Sequence, residues 1–481
     1  MTELHTVEKI GGTSMSRSKE LLDTVLIGPR RGADLYRRIF VVSAYAGVTD
    51  MLLEHKKSGA PGVYANFASG EDGDVWQETL DNLCESMMAL NARIFGSATA
   101  RAAADRFATE RVEAVRSCLI DLSRLCSFGH FQLDEYLMTV REMLASVGEA
   151  HSAFNTVLLL QGKGVNARLV DLSGWQEAGC DDLEDVIRAA FDGIDLTREL
   201  PIVTGYARCR EVLMRSYDRG YSEITLARIA AVTGAGEAII HKEFHLSSAD
   251  PRIVGTDAVR VIGETNYDVA DQLSNLGMEA IHPGAAKTLR QAGIPLRVKN
   301  AFEPEHEGTL IRSDLAARTS QVEIVTGIRN VIALEFHDPD MVGVKGYDAA
   351  ILDAMQRHKV WIISKTSNAN TITHFVKGSL KAIRRVEKDL SDRFPDAAVS
   401  LRKVALVSAI GRDLGTASVL SKTVSVLNAA GIEPLGIHDL MRRVDLQVVV
   451  RDEDHDAAIV AMHRGLIEAP VRAESSMRAV A

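Results

Sequence analysis

The run Val7-Glu8-Lys9-Ile10-Gly11-Gly12-Thr13-Ser14 closes a strand-like segment with a lysine, two glycines and two hydroxyls. Paired glycines let the backbone bend until its N–H groups converge on an anion, while Lys9 adds a compact charge on a flexible stem. Set between a strand and the apolar-spaced helix that follows, the turn also aims a helix N-terminus at that anion. The spacing is neither that of a Walker loop nor the Gly-x-Gly-x-x-Gly of dinucleotide folds. Taken alone, a Gly-Gly turn after a buried strand is also simply a turn.

The whole chain narrows the choice. At 481 residues and 46% hydrophobic, it has material for about three domains. A net charge of −10 argues against a general nucleic-acid surface and is compatible with a small anionic ligand in a local basic pocket. The five cysteines, Cys84, Cys118, Cys126, Cys180 and Cys209, are scattered without Cys-x-x-Cys spacing, so no disulfide framework or zinc site is expected and a reducing cytoplasm fits. No basic-then-apolar leader and no membrane-length apolar stretch is present, which predicts a soluble, unprocessed protein with no membrane partner.

Up to about residue 300, short apolar runs alternate with longer helical patterns, as at Ile39-Phe40-Val41-Val42, Leu200-Pro201-Ile202-Val203, Ala238-Ile239-Ile240 and Leu296-Arg297-Val298. That rhythm predicts an α/β fold with an open, largely parallel sheet between helices. Residues 60–75 read as a Gly/Ala/Ser/Asp-rich loop, and Trp76 to Val147 as an inserted helical lobe. After Ser320 the chain repeats itself: Ile332-Ala333-Leu334 aligns with Val404-Ala405-Leu406 at an offset of 72, which also pairs Gly343 with Gly415. Each copy reads as strand, polar turn, helix (Tyr347 to Arg357; Ala417 to Ala430), strand (Val360 to Ile363; Val448 to Val450) and a second helix from Gly378 or Asp454.

Further clusters carry polar chemistry. Ser43-Ala44-Tyr45-Ala46-Gly47-Val48-Thr49 leaves a strand through small residues, where open α/β sheets bind ligands; the plain alternative is a turn with Thr49 as N-cap. Gly148-Glu149 lies in an apolar helical region, so its carboxylate either reaches solvent or meets a cation. Arg219-Gly220-Tyr221-Ser222-Glu223 joins an arginine fork to a helix start with Ser222 as the expected cap. In His241-Lys242-Glu243-Phe244-His245, continuing to Ser247 and Arg252, no third ligand accompanies the two histidines, so a nucleotide-edge loop is expected and a protein-ligated metal is not.

With these residues in hand, the chain resembles the aspartate kinases of the amino-acid kinase superfamily over almost its full length. Lys9-Ile10-Gly11-Gly12-Thr13-Ser14 is similar to the family's Lys-Phe-Gly-Gly-Thr-Ser opening, and Ser43 to Thr49 to its Ser-x-x-x-Gly-x-Thr loop. Gly148-Glu149, Arg219 to Glu223 and Gly277-Met278-Glu279-Ala280-Ile281-His282-Pro283 match further blocks in family order. The duplicated modules resemble tandem ferredoxin-like ACT domains. The resemblance implies a kinase domain over 1–320 with its helical insertion at about 60–147, then ACT domains at 321–400 and 401–475.

It also implies transfer of the ATP γ-phosphoryl group to the side-chain carboxylate of L-aspartate, with Mg2+ bridging the phosphates. Lys9 is then catalytic, and Gly11, Gly12, Thr13, Ser14, His241, Lys242 and Arg252 join it around ATP. Arg219 would fork the α-carboxylate of aspartate, Glu149 and Glu223 would hold its ammonium, and Ser43, Thr49 and Ser222 would bond its oxygens. An amino-acid effector at the ACT domains and a homodimer formed through them are further implications. The chain departs from the family at His241-Lys242, Ser247 and Glu279, and His241 to His245 resembles the branch associated with ectoine biosynthesis. Rival readings are another amino-acid kinase and a non-catalytic amino-acid sensor whose kinase domain has decayed; retention of Lys9, Glu149, Arg219 and Ser222 weighs against the second.

Overall fold

The computed structural model describes residues 4–56, 58–70, 75–175, 181–217, 220–276, 281–313, 315, 321–414, 417–439 and 442–468. It forms two compact units, one of residues 1–246, 263–267 and 281–313, the other of 247–262, 268–280 and 314–481.

The first unit is built on eight strands: β1 (Thr6–Ile10), β2 (Arg38–Val42), β3 (Ala167–Val170), β4 (Leu200–Thr204), β5 (Glu237–Lys242), β6 (Glu264–Asn266), β7 (Leu296–Asn300) and β8 (Thr309–Arg312). Their order is β3-β4-β2-β1-β5-β7-β8-β6, parallel throughout except where β7 meets β8. Every residue of β2 and β4 is buried, as expected of strands covered on both faces. The expected largely parallel sheet is therefore present.

The helical insertion is longer than its periodicity suggested. A short helix, Val63–Ser69, stands where a loop was expected, followed by helices Val75–Ile94, Ala98–Cys126 and Leu133–Gln161. The last continues well past Val147 and is buried without interruption from Leu144 to Ala153, because there it runs beneath the sheet instead of out in solvent. That path brings Glu149 indoors.

The second unit holds one six-stranded sheet of order β10-β11-β9-β12-β14-β13, with β9 at Gln321–His337, β10 at Trp361–Ser367, β11 at Thr371–Lys377, β12 at Ala398–Arg412, β13 at Gly436–Asp439 and β14 at Asp445–Arg451. The repeat read from the sequence is visible as two strand–helix–hairpin–helix modules. One pairing changes: at an offset of 72, β14 is the counterpart of β11, so the sequence comparison had set the first hairpin strand of one copy against the second of the other. β9 serves both modules, since Val322 and Val325 lie in the core with Val407, Val448 and Ile459, whereas Leu334 and Phe336 pack with Ile351, Val376 and Leu390. Residues 247–262 also join this unit, with Ser248 accepting from Val325 N–H through its carbonyl at 2.8 Å and bonding His463 Nε2 through its hydroxyl at 2.8 Å.

Candidate active site

Four neighbouring strands, β4-β2-β1-β5, end together, and the polar clusters follow their C-terminal ends. Parallel register sets Lys9 beside Val41 and Ile240, so Lys9, Ser43 and Lys242 fall on one face. Glu8, Arg38 and His241 fall on the other.

Lys9 Nζ lies 3.5 Å from Glu223 Oε1, and Glu223 Oε2 accepts the backbone N–H of His282 at 2.5 Å. Burial alone would raise the Glu223 pKa; Lys9 and Lys242 outweigh it and hold the carboxyl below its ordinary range. Glu223 is thus a fixed anion already committed to Lys9. Glu149 contrasts with it. Burial pushes its carboxyl up to about 8 against the pull of Lys9, and Oε2 has no hydrogen-bond partner among the described residues. A buried carboxyl in that state is one that a bound ammonium would satisfy.

Glycines set the distances. A Cβ on Gly205, which follows β4, would stand 2.8 Å from Glu149 Oε2 and 2.9 Å from the Ser222 Cβ. On Gly148 it would meet the Ala44 Cβ at 2.9 Å, so this glycine lets the long helix approach the loop after β2. Ser152, one turn beyond Glu149, donates to Ser43 O at 2.8 Å, and the Ser43 hydroxyl bonds that of Ser222 at 3.3 Å. Thr49 lies in the first turn of helix Val48–Leu52, whose cap is the left-handed Gly47 and not Thr49.

Several sequence assignments change. Ser222 does not cap its helix: the helix is Tyr221–Thr233, its cap is Gly220, and Ser222 is buried in the first turn. Gly11 N–H is spent on the sheet, donating to His241 O at 3.3 Å, which leaves Gly12 and Thr13 at the start of helix Gly12–Met15 to offer amides. Ser14 is fully buried and donates to Glu243 Oε1 at 2.7 Å, so its hydroxyl braces the turn and does not face a phosphate.

His241 is turned away from Lys9, and its Nε2 is bonded to buried Glu8 at 2.7 Å. Glu8 also receives Arg38 Nε at 2.8 Å; burial opposes ionisation, but Arg38 and His241 hold the carboxyl well below its usual range. His241 therefore belongs to a strand-locking cluster and not to the nucleotide edge. His245 Nε2 bonds Glu303 at 3.0 Å. Arg252 lies in the second unit, exposed and forked onto Asp250 at 2.6 Å. Arg219 and Glu279 fall outside the described residues.

Sequence reading missed Gly205, Glu243 and the His282 amide. A glycine directly after a buried parallel strand, as in Val203-Thr204-Gly205, was the available signal for the first. No group of three His, Cys, Asp or Glu side chains converges in a metal-binding arrangement among the described residues, and none of their helices is long and apolar enough to cross a membrane.

The chain is similar to known proteins over most of its length. Residues 5–300 match the amino acid kinase family. The aspartate kinase Ask_Ect of Stutzerimonas stutzeri is 55% identical over 97% of this chain and 98% of its own length. Chloroplastic aspartokinase 2 of Arabidopsis thaliana is 24% identical over 97% and 85%. The structure of E. coli aspartokinase III in complex with lysine and aspartate superposes with a TM-score of 0.71 at 21% identity, covering 96% of this chain and 99% of that one. A lysine and two carboxylates gathered at the strand ends, on a chain that matches such relatives nearly end to end, leave one placement: the chain belongs to the amino acid kinase family, and within it to the aspartate kinases.

Proposed function

We propose that this kinase phosphorylates the side-chain carboxylate of L-aspartate with the γ-phosphoryl group of ATP, giving 4-phospho-L-aspartate, with Lys9 as the residue that acts on the group in transfer. The observation that carries this reading is Lys9 held by Glu223 beside Glu149 at the ends of β1 and β2. A carboxylate nucleophile is already ionised at neutral pH, so positioning and charge neutralisation are what the protein must supply. Lys9 neutralises charge on the phosphoryl oxygens, helped by the amides of Gly12 and Thr13, while Lys242 on the same face serves the nucleotide phosphates.

Glu149 takes the α-ammonium of aspartate, which relieves its own unpaired burial. Ser43, Ser222 and Thr49 serve carboxylate oxygens, and Arg219 forks the α-carboxylate. Glu223, committed to Lys9, orients that lysine more than it binds substrate. Magnesium would come with ATP and would add its charge to that of Lys9 and Lys242 at the phosphates.

We assign the kinase domain to 1–320, with the insertion at about 60–147, and the ACT domains to 321–400 and 401–475. An amino-acid effector on those modules, a homodimer through them, cytoplasmic residence and supply of an ectoine pathway complete the reading. The 55% identity to Ask_Ect supports the branch. Trapping the acyl phosphate with hydroxylamine in the presence of aspartate and ATP tests the activity. Lys9→Ala is expected to lower kcat by about 10²–10³-fold, and near-normal turnover in that variant would remove Lys9 from its role.

A further inference from the structure

The long helix Leu133–Gln161 carries a second carboxylate, Glu142, about two turns before Glu149 and on the same side of the helix. Glu142 Oε1 accepts the backbone N–H of Met214 at 3.1 Å, and the Tyr206 hydroxyl and Arg208 lie beside it. Met214 sits in the first turn of a short helix, Leu213–Tyr217. The chain enters that helix through Val212 at a φ of 53°, a left-handed conformation that a β-branched residue adopts only where its surroundings impose it. At the other end of the same helix, Tyr217 packs edge-on against His282 with ring centres 5.7 Å apart. The His282 N–H is in turn the donor to Glu223, the partner of Lys9.

We infer that Glu142 is a positioning residue for phosphoryl transfer: by holding the Met214 amide it fixes the Leu213–Tyr217 helix, seats Tyr217 against His282, and keeps Glu223 in place for Lys9. This rests on the reading that Glu223 orients Lys9. The competing view is a carboxylate that merely caps a surface turn. The strained entry at Val212 argues against it, because releasing Met214 would let that residue relax and the helix shift. Burial also raises the pKa of Glu142, so a costly group is retained where an apolar one would pack.

The test uses full-length Glu142→Ala, Glu142→Gln, Tyr217→Ala and Glu223→Ala, with initial rates in aspartate and MgATP and thermal unfolding alongside. Glu142→Ala and Tyr217→Ala are each expected to lower kcat about tenfold, leaving the ATP KM within about twofold. Glutamine at 142 still accepts from Met214 and is expected to restore kcat to within about twofold of wild type. Combining the two alanine changes should cost no more than the worse single one, because both break one link. Wild-type kcat in folded Glu142→Ala, or in Tyr217→Ala should the first not fold, overturns the inference, as does an equal loss in the Ala and Gln variants. Glu223→Ala separates the two levels: normal turnover there defeats the reading of Glu223, whereas impaired turnover there with normal Glu142→Ala defeats this inference alone.

Discussion

Replacing Glu149 with glutamine probes the site's electrostatics while keeping its shape. In the folded chain the carboxyl is buried and its pKa stands at about 8, against an ordinary 4.5. Because the folded value is the higher one, the native state holds the proton more tightly than the unfolded chain between those limits, so wild-type stability falls as pH rises through them. One proton changes stability by about 1.4 kcal/mol per pH unit, so the whole interval is worth ~5 kcal/mol and the stretch from pH 6 to pH 8 ~2.7 kcal/mol. Glu149→Gln carries no such proton. Urea denaturation at a series of pH values should therefore show the variant gaining on wild type by about 2–3 kcal/mol between pH 6 and pH 8. Aspartate should supply the missing partner, so its binding near pH 7 should release close to one proton per site in wild type and none in the variant. Calorimetry in buffers of different ionisation enthalpy reads that number. Parallel stability profiles together with proton-neutral binding would refute both the buried neutral carboxyl and its role at the ammonium.

Gly205→Ala would place a Cβ 2.8 Å from both Glu149 Oε2 and Val42 O, and a loss of about 1–3 kcal/mol in stability with a raised aspartate KM is expected; an unchanged KM would show that the strand end has room to spare. Arg38→Leu leaves Glu8 buried with His241 and the Thr6 hydroxyl but without its arginine, which should cost about 3–5 kcal/mol in chemical denaturation, and a loss below about 1 kcal/mol would mean that the cluster is not a desolvated ion pair.

The strands that hold Lys9 and Lys242 and lead into Ser43 were legible because short apolar runs, Ile39 to Val42 and Ala238 to Ile240 among them, alternate with helical patterns in the rhythm of a parallel sheet. The repeat was legible for a similar reason, since two copies of one pattern reinforce each other. Side-chain direction was not. His241 and Lys242 are adjacent in sequence and look alike as basic residues at a nucleotide edge, yet alternation along β5 sends them to opposite faces. Ser14 read as a phosphate ligand and Ser222 as a helix cap, and both proved buried, because each lies in the first turn of a helix that packs into the fold.

By itself, the sequence determined the fold class, the family and the residue types at the site: a lysine after a strand, glycines at its end, and carboxylates within apolar helices. The fold class and the residue types depend on local period and composition, which are written along the chain, while the family rests on the resemblance of its motifs in order. Only the tertiary structure decided what each charge does. Glu149 and Glu223 are both glutamates near Lys9, the first buried and the second largely so, and their difference comes from what surrounds them: Glu223 has Lys9, Lys242 and the His282 amide, while Glu149 keeps an oxygen without a partner among the described residues. An ionised anchor and a carboxyl waiting for an ammonium are thus made from one residue type, because the free energy of a buried charge is set by neighbours such as Lys9 and His282, which lie more than 50 residues from Glu223 along the chain.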